Sequence, residues 1–401
     1  MGIHGGVQTQ PRLKISHKIT MSNHKITVIQ VLPALNSGGV EKGTLEIGRY
    51  LVKQGHESIV VSAAGRLVQS LIDQGSRHIE ADIGAKKLST FKYIPWFKQL
   101  MRDIRPDIVH VRSRLPAWMV YLAWKSLPEN GRPRLISTFH GQHSVNRYSA
   151  IMTKSERIIT VSEMMRDYIL RSYPDVDPEK ISVIYRGVDT TLYNPDFFPD
   201  QNWQDHWIAT YPQTRNKPLL TFAGRLSRRK GIEDFIQIIA ELKQSGLPVH
   251  GLIVGETSPK KKEYRQELEQ LILEKQLNND ITLTGHRSDL QNIIAISKTV
   301  FSLSKEPESF GRTVTESLSL GVPVVGYSHG GVKEQLERLF PEGKIEVGNV
   351  NEAAEVTRKI LTGSSVQIRR NDIFTLENMC SETLKTYREL MADKRRAVLD
   401  H

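Results

Sequence analysis

Two doubly wound α/β halves with a cleft between them are predicted by three observations. The chain has 401 residues, enough for two domains of ordinary size. Short β-branched runs alternate with helical patterns along most of it, which implies parallel sheets with right-handed crossovers. The rhythm breaks over residues 190–216, where Pro195, Pro199 and Pro212 stand with Trp203 and Trp207, and restarts at 218–222. Ligands of such sheets bind at the carboxyl ends of the strands, so the cleft is where function is expected.

In the first half the expected strands are 26–32, 58–62, 108–111, 134–138, 157–161 and 181–184, with helices near 40–54, 66–74, 91–104, 115–126 and 162–172. Val40, Thr44, Ile47 and Leu51 recur at helical spacing and make one apolar stripe. The stretch 190–216 reads as an interdomain connection. In the second half strands are expected at 218–222, 249–254, 281–284, 300–303, 322–326 and 344–347. Helices fall near 231–245, 260–276, 288–297, 312–320, 330–339 and 351–362, with a last one at about 377–396.

Composition narrows the function classes. Hydrophobic residues are 39% and charged residues 25%, which excludes wholesale disorder. Cys380 is the single cysteine, so an intrachain disulfide and a Cys-based zinc site are excluded, and a reducing compartment is expected. The longest apolar run, 116–124, is about half of the ~18–20 residues a membrane span needs. Residues 1–22 lack the apolar centre of a signal peptide and read as a disordered extension, with Met21 an alternative start. A cytoplasmic protein is the expectation.

The net charge is +11. Such an excess points to nucleic acid, an anionic membrane or an anionic substrate. Residues 1–150 hold 21 Lys+Arg against 9 Asp+Glu, whereas residues 151–401 hold 34 against 35, so the whole excess lies in the first part. No nucleic-acid module or aromatic-basic repeat appears, and nucleic acid is not expected as a partner.

Three motifs carry chemistry. Asn36-Ser37-Gly38-Gly39 lies between the first strand and the first helix, where two glycines let backbone approach a ligand and a helix start offers N–H groups to an anion. Both the G-x-G-x-x-G fingerprint and the P-loop pattern are missing there, against a dehydrogenase or a P-loop enzyme. The second motif, Gly224-Arg225-Leu226-Ser227-Arg228-Arg229-Lys230-Gly231, puts four cations between glycines at a strand's end, a device for phosphate oxygens. The third, Glu308-Ser309-Phe310-Gly311-Arg312-Thr313-Val314-Thr315-Glu316, runs from a strand's end into a helix. Carboxylates there can accept hydrogen bonds from vicinal hydroxyls. One D-x-D match, Asp175-Val176-Asp177, precedes Pro178 and reads as a surface turn and not a metal site.

Together these features resemble the retaining glycosyltransferases of family 4, which have the GT-B fold of two facing Rossmann-like domains. Glu308 and Glu316 match the family's E-x₇-E spacing with Phe-Gly inside it. The Gly-Gly loop, His140-Gly141, Val161-Ser162, Arg186-Gly187-Val188-Asp189, Gly224-Arg225 with Lys230, and Gly321-Val322-Pro323-Val324-Val325 come in the family's order. The resemblance implies an acceptor domain over 23–200, a nucleotide-sugar donor domain over 201–375, and a C-terminal helix over 376–401 that packs back on the first domain. By the same resemblance, Arg225 and Lys230 bind the donor diphosphate, bordered by Gly38 and Gly39. Glu316 holds the ribose. Glu308, Phe310 and Gly311 hold the donor sugar, and Glu308 and His140 stand at the reacting centre. Arg186, Glu256, Arg312 and Thr313 are weaker cleft candidates. No cofactor and no metal are expected, the nucleotide-diphosphate sugar being a co-substrate.

The phrase from Arg112 to Trp118, followed by Thr138-Phe139-His140-Gly141, looks like members of the family that build lipopolysaccharide cores. That implies a glycan or glycolipid acceptor at the cytoplasmic face of the inner membrane, and the basic first half is consistent with peripheral association there. A solvated basic surface is the plain alternative. A sugar-nucleotide epimerase of the same fold stays open as a second activity, and a nucleic-acid-binding protein as a remote one.

Overall fold

The computed structural model describes residues 24–399 apart from 37, 258–261 and 364–365. The extension expected over 1–22, and Ser37 of the first glycine motif, lie outside the described residues.

Among the described residues thirteen strands form two parallel sheets. The strands are β1 (Thr27–Ala34), β2 (Glu57–Ala63), β3 (Arg77–Glu80), β4 (Ile108–Val111), β5 (Arg134–Phe139), β6 (Arg157–Thr160) and β7 (Ile181–Val183) in the first half. In the second they are β8 (Leu219–Ala223), β9 (His250–Val254), β10 (Ile281–Gly285), β11 (Thr299–Ser302), β12 (Val324–Tyr327) and β13 (Lys344–Ile345). Helices of the first half are α1 (Gly39–Lys53), α2 (Val68–Asp73), α3 (Tyr93–Ile104), α4 (Arg114–Lys125) and α5 (Glu163–Ser172). The others are α6 (Gln201–Thr210), α7 (Ile232–Gln244), α8 (Lys262–Glu274), α9 (Leu290–Ala295), α10 (Arg312–Ser319), α11 (Gly330–Leu339), α12 (Val350–Leu361) and α13 (Leu376–Leu399).

The first sheet runs β3-β2-β1-β4-β5-β6-β7 and the second β10-β9-β8-β11-β12-β13. Each grows outward in both directions from its first strand, so each has a topological switch point, between β1 and β4 and between β8 and β11. Val28, Ile29 and Val31 of β1 and Leu252, Ile253 and Val254 of β9 are buried. Strands covered on both faces carry such near-continuous apolar runs. The predicted pair of doubly wound halves is therefore the observed architecture.

Two elements differ from expectation. β3 was not expected: Arg77-His78-Ile79-Glu80 has one apolar residue, and it becomes a strand by pairing with the outer edge of β2. Part of the 190–216 stretch is the helix α6. Asp200 caps it by accepting from the Trp203 N–H at 2.8 Å, and Trp207 packs with Leu219, Leu252 and Ile293 of the second half. The expected D-x-D turn is exposed, and Asp177 accepts there from the Glu179 N–H at 2.9 Å.

The chain crosses between the halves twice, near 186–188 and 374–376, where Val188 and Thr375 form a parallel bridge. Phe374 meets the rings of Tyr185 and Phe310 edge-on at that crossing. Helix α13 lies against the first sheet: Met379, Cys380, Leu384, Tyr387 and Leu390 pack with Ile26, Val28, Ile47 and Ile108. No helix among the described residues is long and apolar enough to cross a membrane.

Candidate functional site

The loops that leave the carboxyl ends of β1, β5, β8 and β11, with the segment after β7, meet in a cleft of about 590 Å³ between the halves. The loops after β1, β8 and β11 lie beside the two switch points, where a doubly wound sheet opens a crevice.

On the second half the cleft wall is built from two stitched loops. After β8 the chain turns through Arg228–Lys230 and enters α7 at Gly231, whose φ of 70° and tight contact leave no room for a side chain. A Cβ there would stand 2.0 Å from the Leu303 carbonyl oxygen. The close approach brings Lys230 beside the loop after β11. Its ammonium donates to Glu308 Oε1 at 2.7 Å, and the Ser304 hydroxyl donates to the same oxygen at 2.5 Å. Burial alone would raise the Glu308 carboxyl, but the Lys230 charge and these two hydrogen bonds carry it below the ordinary value. Gly311, at φ 89°, caps the start of α10. The first turn of that helix therefore faces the cleft with backbone N–H groups and the positive end of its dipole.

Arg312 of this first turn and Glu316 of the next belong to a charge cluster that joins the halves. Arg312 donates bidentately to Glu46 of α1, at 2.9 and 3.2 Å. Glu316 is buried, with Arg312 Nε at 3.5 Å and Lys42 of α1 at 4.0 Å. Burial opposes the Arg312 charge, yet Glu46 and then Glu316 raise its affinity for the proton above the ordinary value.

On the first half, Gly38 caps α1 and Gly39 lines the cleft. His140, at the end of β5, lines it too and accepts through Nδ1 from Arg186 Nη2 at 2.5 Å. Gly141 faces Ser309 of the other half at ordinary contact range, since a Cβ there would stand 3.5 Å from the Ser309 hydroxyl. Burial, then the Arg186 charge, hold His140 well below the usual histidine range. Burial, then the neighbouring Arg112, bring Arg186 down to about 9.

Of the residues singled out from sequence, Gly39, His140, Arg186, Lys230, Glu308, Phe310, Gly311 and Arg312 share this one cleft. Thr313 lines a narrow branch of about 80 Å³ beside Gly224. Phe310 presents its backbone, its ring being buried against Phe374. Arg225 and Glu256 stand exposed, and the structure brings neither into the cleft wall. Arg229, Ser304, Ser309 and Gln142 line or brace the wall and were not singled out individually. Glu46 was missed as well, since nothing in α1 marks the residue that meets Arg312 across the cleft.

The arrangement suits a ligand with an anionic and a hydroxylated part. Lys230, Arg229 and the α10 start offer positive charge and N–H donors, and the carboxylates offer acceptors for hydroxyls.

Comparison with known proteins gives the same picture. Residues 37–192 match the family model Glycosyltransferase Family 4, and residues 204–373 match Glycosyl transferases group 1. The chain is 24% identical over 351 residues to the N-acetyl-alpha-D-glucosaminyl L-malate synthase of Bacillus anthracis, covering 83% of this chain and 86% of that one. A glycosyltransferase from Rickettsia africae ESF-5 superposes with a TM-score of 0.80 at 28% identity, covering 92% and 99% of the two chains. The Anabaena protein HepE, solved with UDP and glucose, shares the fold at a TM-score of 0.73 and 20% identity, covering 90% and 99%. The fold of these neighbours is GT-B.

Proposed function

The chain belongs to the glycosyltransferases, its first half of family 4 type and its second of group 1 type, and on that premise we propose that it is a retaining, metal-independent enzyme. It moves a sugar from a nucleotide-diphosphate donor to a glycan or glycolipid acceptor in the building of lipopolysaccharide or another cell-envelope polysaccharide. The observation that carries the proposal is the Lys230–Glu308 pair beside the start of α10, at the cleft between the halves.

In this reading the diphosphate sits against Lys230, Arg229 and the α10 N–H groups, with the ribose hydroxyls on Glu316. The bond from the anomeric carbon to the phosphate oxygen breaks, leaving negative charge on the diphosphate and positive charge on the sugar. Fixed cations and N–H donors stabilise the first charge without reorganising, which is where such sites gain most of their rate. The acceptor oxygen bonds to the anomeric carbon on the face the phosphate leaves. Its proton passes to the departing phosphate oxygen. Lys230 and Arg229 supply the charge that a metal supplies elsewhere.

The acceptor side is supported by the distribution of charge and by one surface feature. Residues 83–102 hold Lys86, Lys87, Lys92, Lys98 and Arg102 and no carboxylate. The 3₁₀ turn Leu88–Lys92 leaves Leu88 88% and Phe91 54% exposed, and residues three apart in such a turn share an edge. Two apolar side chains among lysines fit an anionic lipid surface, in keeping with a place at the cytoplasmic face of the inner membrane. Sedimentation with phosphatidylglycerol vesicles is expected to be lost in a Leu88→Ser/Phe91→Ser variant; unchanged sedimentation would count against this address.

The chemistry is tested by transfer in excess EDTA, with the anomeric configuration of the product read by NMR. Transfer with retained configuration is expected. Inversion, activity restored only by Mg²⁺ or Mn²⁺, or isomerised sugar nucleotide in the absence of an acceptor would each contradict the proposal.

A further inference from the structure

The contact between Arg186 and His140 admits a single protonation state of the histidine. Arg186 Nη2 lies 2.5 Å from His140 Nδ1. A guanidinium carries only N–H donors and keeps its proton. Nδ1 must therefore accept through its lone pair, and the ring proton sits on Nε2. The opposite tautomer, like the imidazolium ion, would set N–H against N–H. The Nε2–H has no partner among the described residues and is shielded from solvent, although His140 lines the cleft. Buried polar hydrogens find acceptors in native proteins, and the space that His140 borders is the cleft.

Arg186 has little other reason to be where it is. It is only 8% exposed, and no carboxylate among the described residues lies within ion-pair distance of it. Among the described residues its second terminal nitrogen reaches only the Met379 sulfur, at 3.7 Å. Helix α1 makes room for it at Gly43, where a Cβ would stand 2.3 Å from Nη1. The carboxylate whose charge offsets it, Glu46, is taken up by Arg312. A buried cation held this way costs stability relative to an apolar side chain of similar size.

We propose that Arg186 is a positioning residue: it holds His140 as the Nε2–H tautomer, so that the imidazole donates a hydrogen bond to an oxygen of the bound nucleotide sugar and takes no proton from the acceptor. The inference rests on the cleft being the donor site. The groups that bear on His140 are Arg186, Arg112, His110 and His143, and each disfavours its protonated form. With burial they keep the ring neutral well below its ordinary value of 6.5.

The test is NMR of side-chain nitrogens in protein labelled with ¹⁵N at histidine, with the His140 signals identified by their loss in His140→Gln. In the wild type the Nε2–H tautomer is expected, unchanged as the pH falls from about 7 to about 5, beneath the ordinary histidine value. Arg186→Met, similar in size but without donors, is expected to give mixed tautomers and a raised pKa. Arg186→Lys, which keeps a donor, is expected to restore the wild-type spectrum. In turnover, Arg186→Met is expected to lose about tenfold in kcat/KM for the nucleotide sugar, with the affinity for the free nucleoside diphosphate held within about twofold if the sugar supplies the acceptor oxygen. A matching loss of nucleoside-diphosphate affinity would place that oxygen on the phosphates, which the proposal also covers. An Nδ1–H or protonated His140 near neutral pH, or an Arg186→Met spectrum identical to wild type, would overturn it. If Arg186→Met does not fold, the wild-type titration and Arg186→Lys still decide. Failure of the donor reading would look different: an intact Nε2–H tautomer in a protein that binds no nucleotide sugar.

Discussion

Glu308 and Glu316 are both carboxylates on one loop and helix, yet their surroundings separate their tasks. Glu308 accepts from Lys230 and Ser304 at the cleft wall, while Glu316 is buried one turn into α10 between Arg312 and Lys42. Glu308→Gln keeps the shape, removes the charge and leaves Lys230 without its counter-ion. It is expected to lower sugar turnover by about 10²-fold, with nucleoside-diphosphate affinity nearly unchanged. Glu316→Ala is expected to weaken that affinity by about tenfold or more, the worth of a charge-assisted hydrogen bond to ribose. Calorimetric titration of both variants checks this, and equal affinity in the two would show that Glu316 has been given the wrong role. At this scale the sequence was most informative where chemistry needs a residue type beside a glycine, as at Lys230 and Gly311. It was least informative where a partner comes from far along the chain. The Arg312–Glu46 contact joins residues 266 apart, and no local pattern marks Glu46. Arg225 shows the converse: a cation in the motif that stands exposed and outside the cleft lining.

At the scale of elements, the strand–helix alternation was legible because each sheet is covered on both faces, so its inner strands read as apolar runs. The exceptions have physical reasons. β3 is an edge strand with little to bury, and α6 is held by a cap and two tryptophans inside a proline-rich stretch that masks its period. Helix α13 is tied to the first sheet through a buried polar contact as well as its apolar face. The Tyr387 hydroxyl lies 2.7 Å from His110 Nδ1, and the Thr138 hydroxyl 2.6 Å from Nε2. Tyr387→Phe leaves one ring nitrogen unpaired and is expected to cost about 1–3 kcal/mol. Burial, then Arg112 and Arg186, hold His110 well below 6.5 in the folded state. Below pH 6.5 the unfolded chain therefore takes up a proton that the folded chain refuses, and stability falls as the pH drops. Melting temperatures of the wild type and Tyr387→Phe between about pH 7.5 and pH 5, on either side of the ordinary histidine value, check both points. A variant as stable as wild type throughout would contradict the account of this strap.

Over the whole molecule, the surplus charge and the donor site sit on different halves. The surplus charge lies in residues 1–150, with 21 Lys+Arg against 9 Asp+Glu, the part that carries the lysine-rich turn with Leu88 and Phe91, whereas residues 151–401, with 34 against 35, are near neutral despite the loop of four cations. The two halves meet through Glu46 with Arg312, Lys42 with Glu316, and Glu334 accepting from the backbone at the start of α5 at 2.9 and 3.0 Å. Of these residues Arg312 itself lines the cleft, so one of the contacts that join the halves reaches the cleft wall. Sequence motifs indicated which strand ends carry the chemistry, but the facing of the halves follows only from how the two crossings and α13 close the chain. The central claim is that this cleft holds a nucleotide sugar with Lys230 at its diphosphate. It is tested most directly by titrating UDP, GDP and ADP sugars into the wild type and Lys230→Ala in EDTA, following melting temperature and nucleoside-diphosphate release. One donor class is expected to raise the melting temperature of the wild type and to be turned over, with a loss of about 10²-fold in Lys230→Ala. A wild type that no nucleotide sugar stabilises, or a Lys230→Ala variant that binds and turns over the donor as the wild type does, would contradict it.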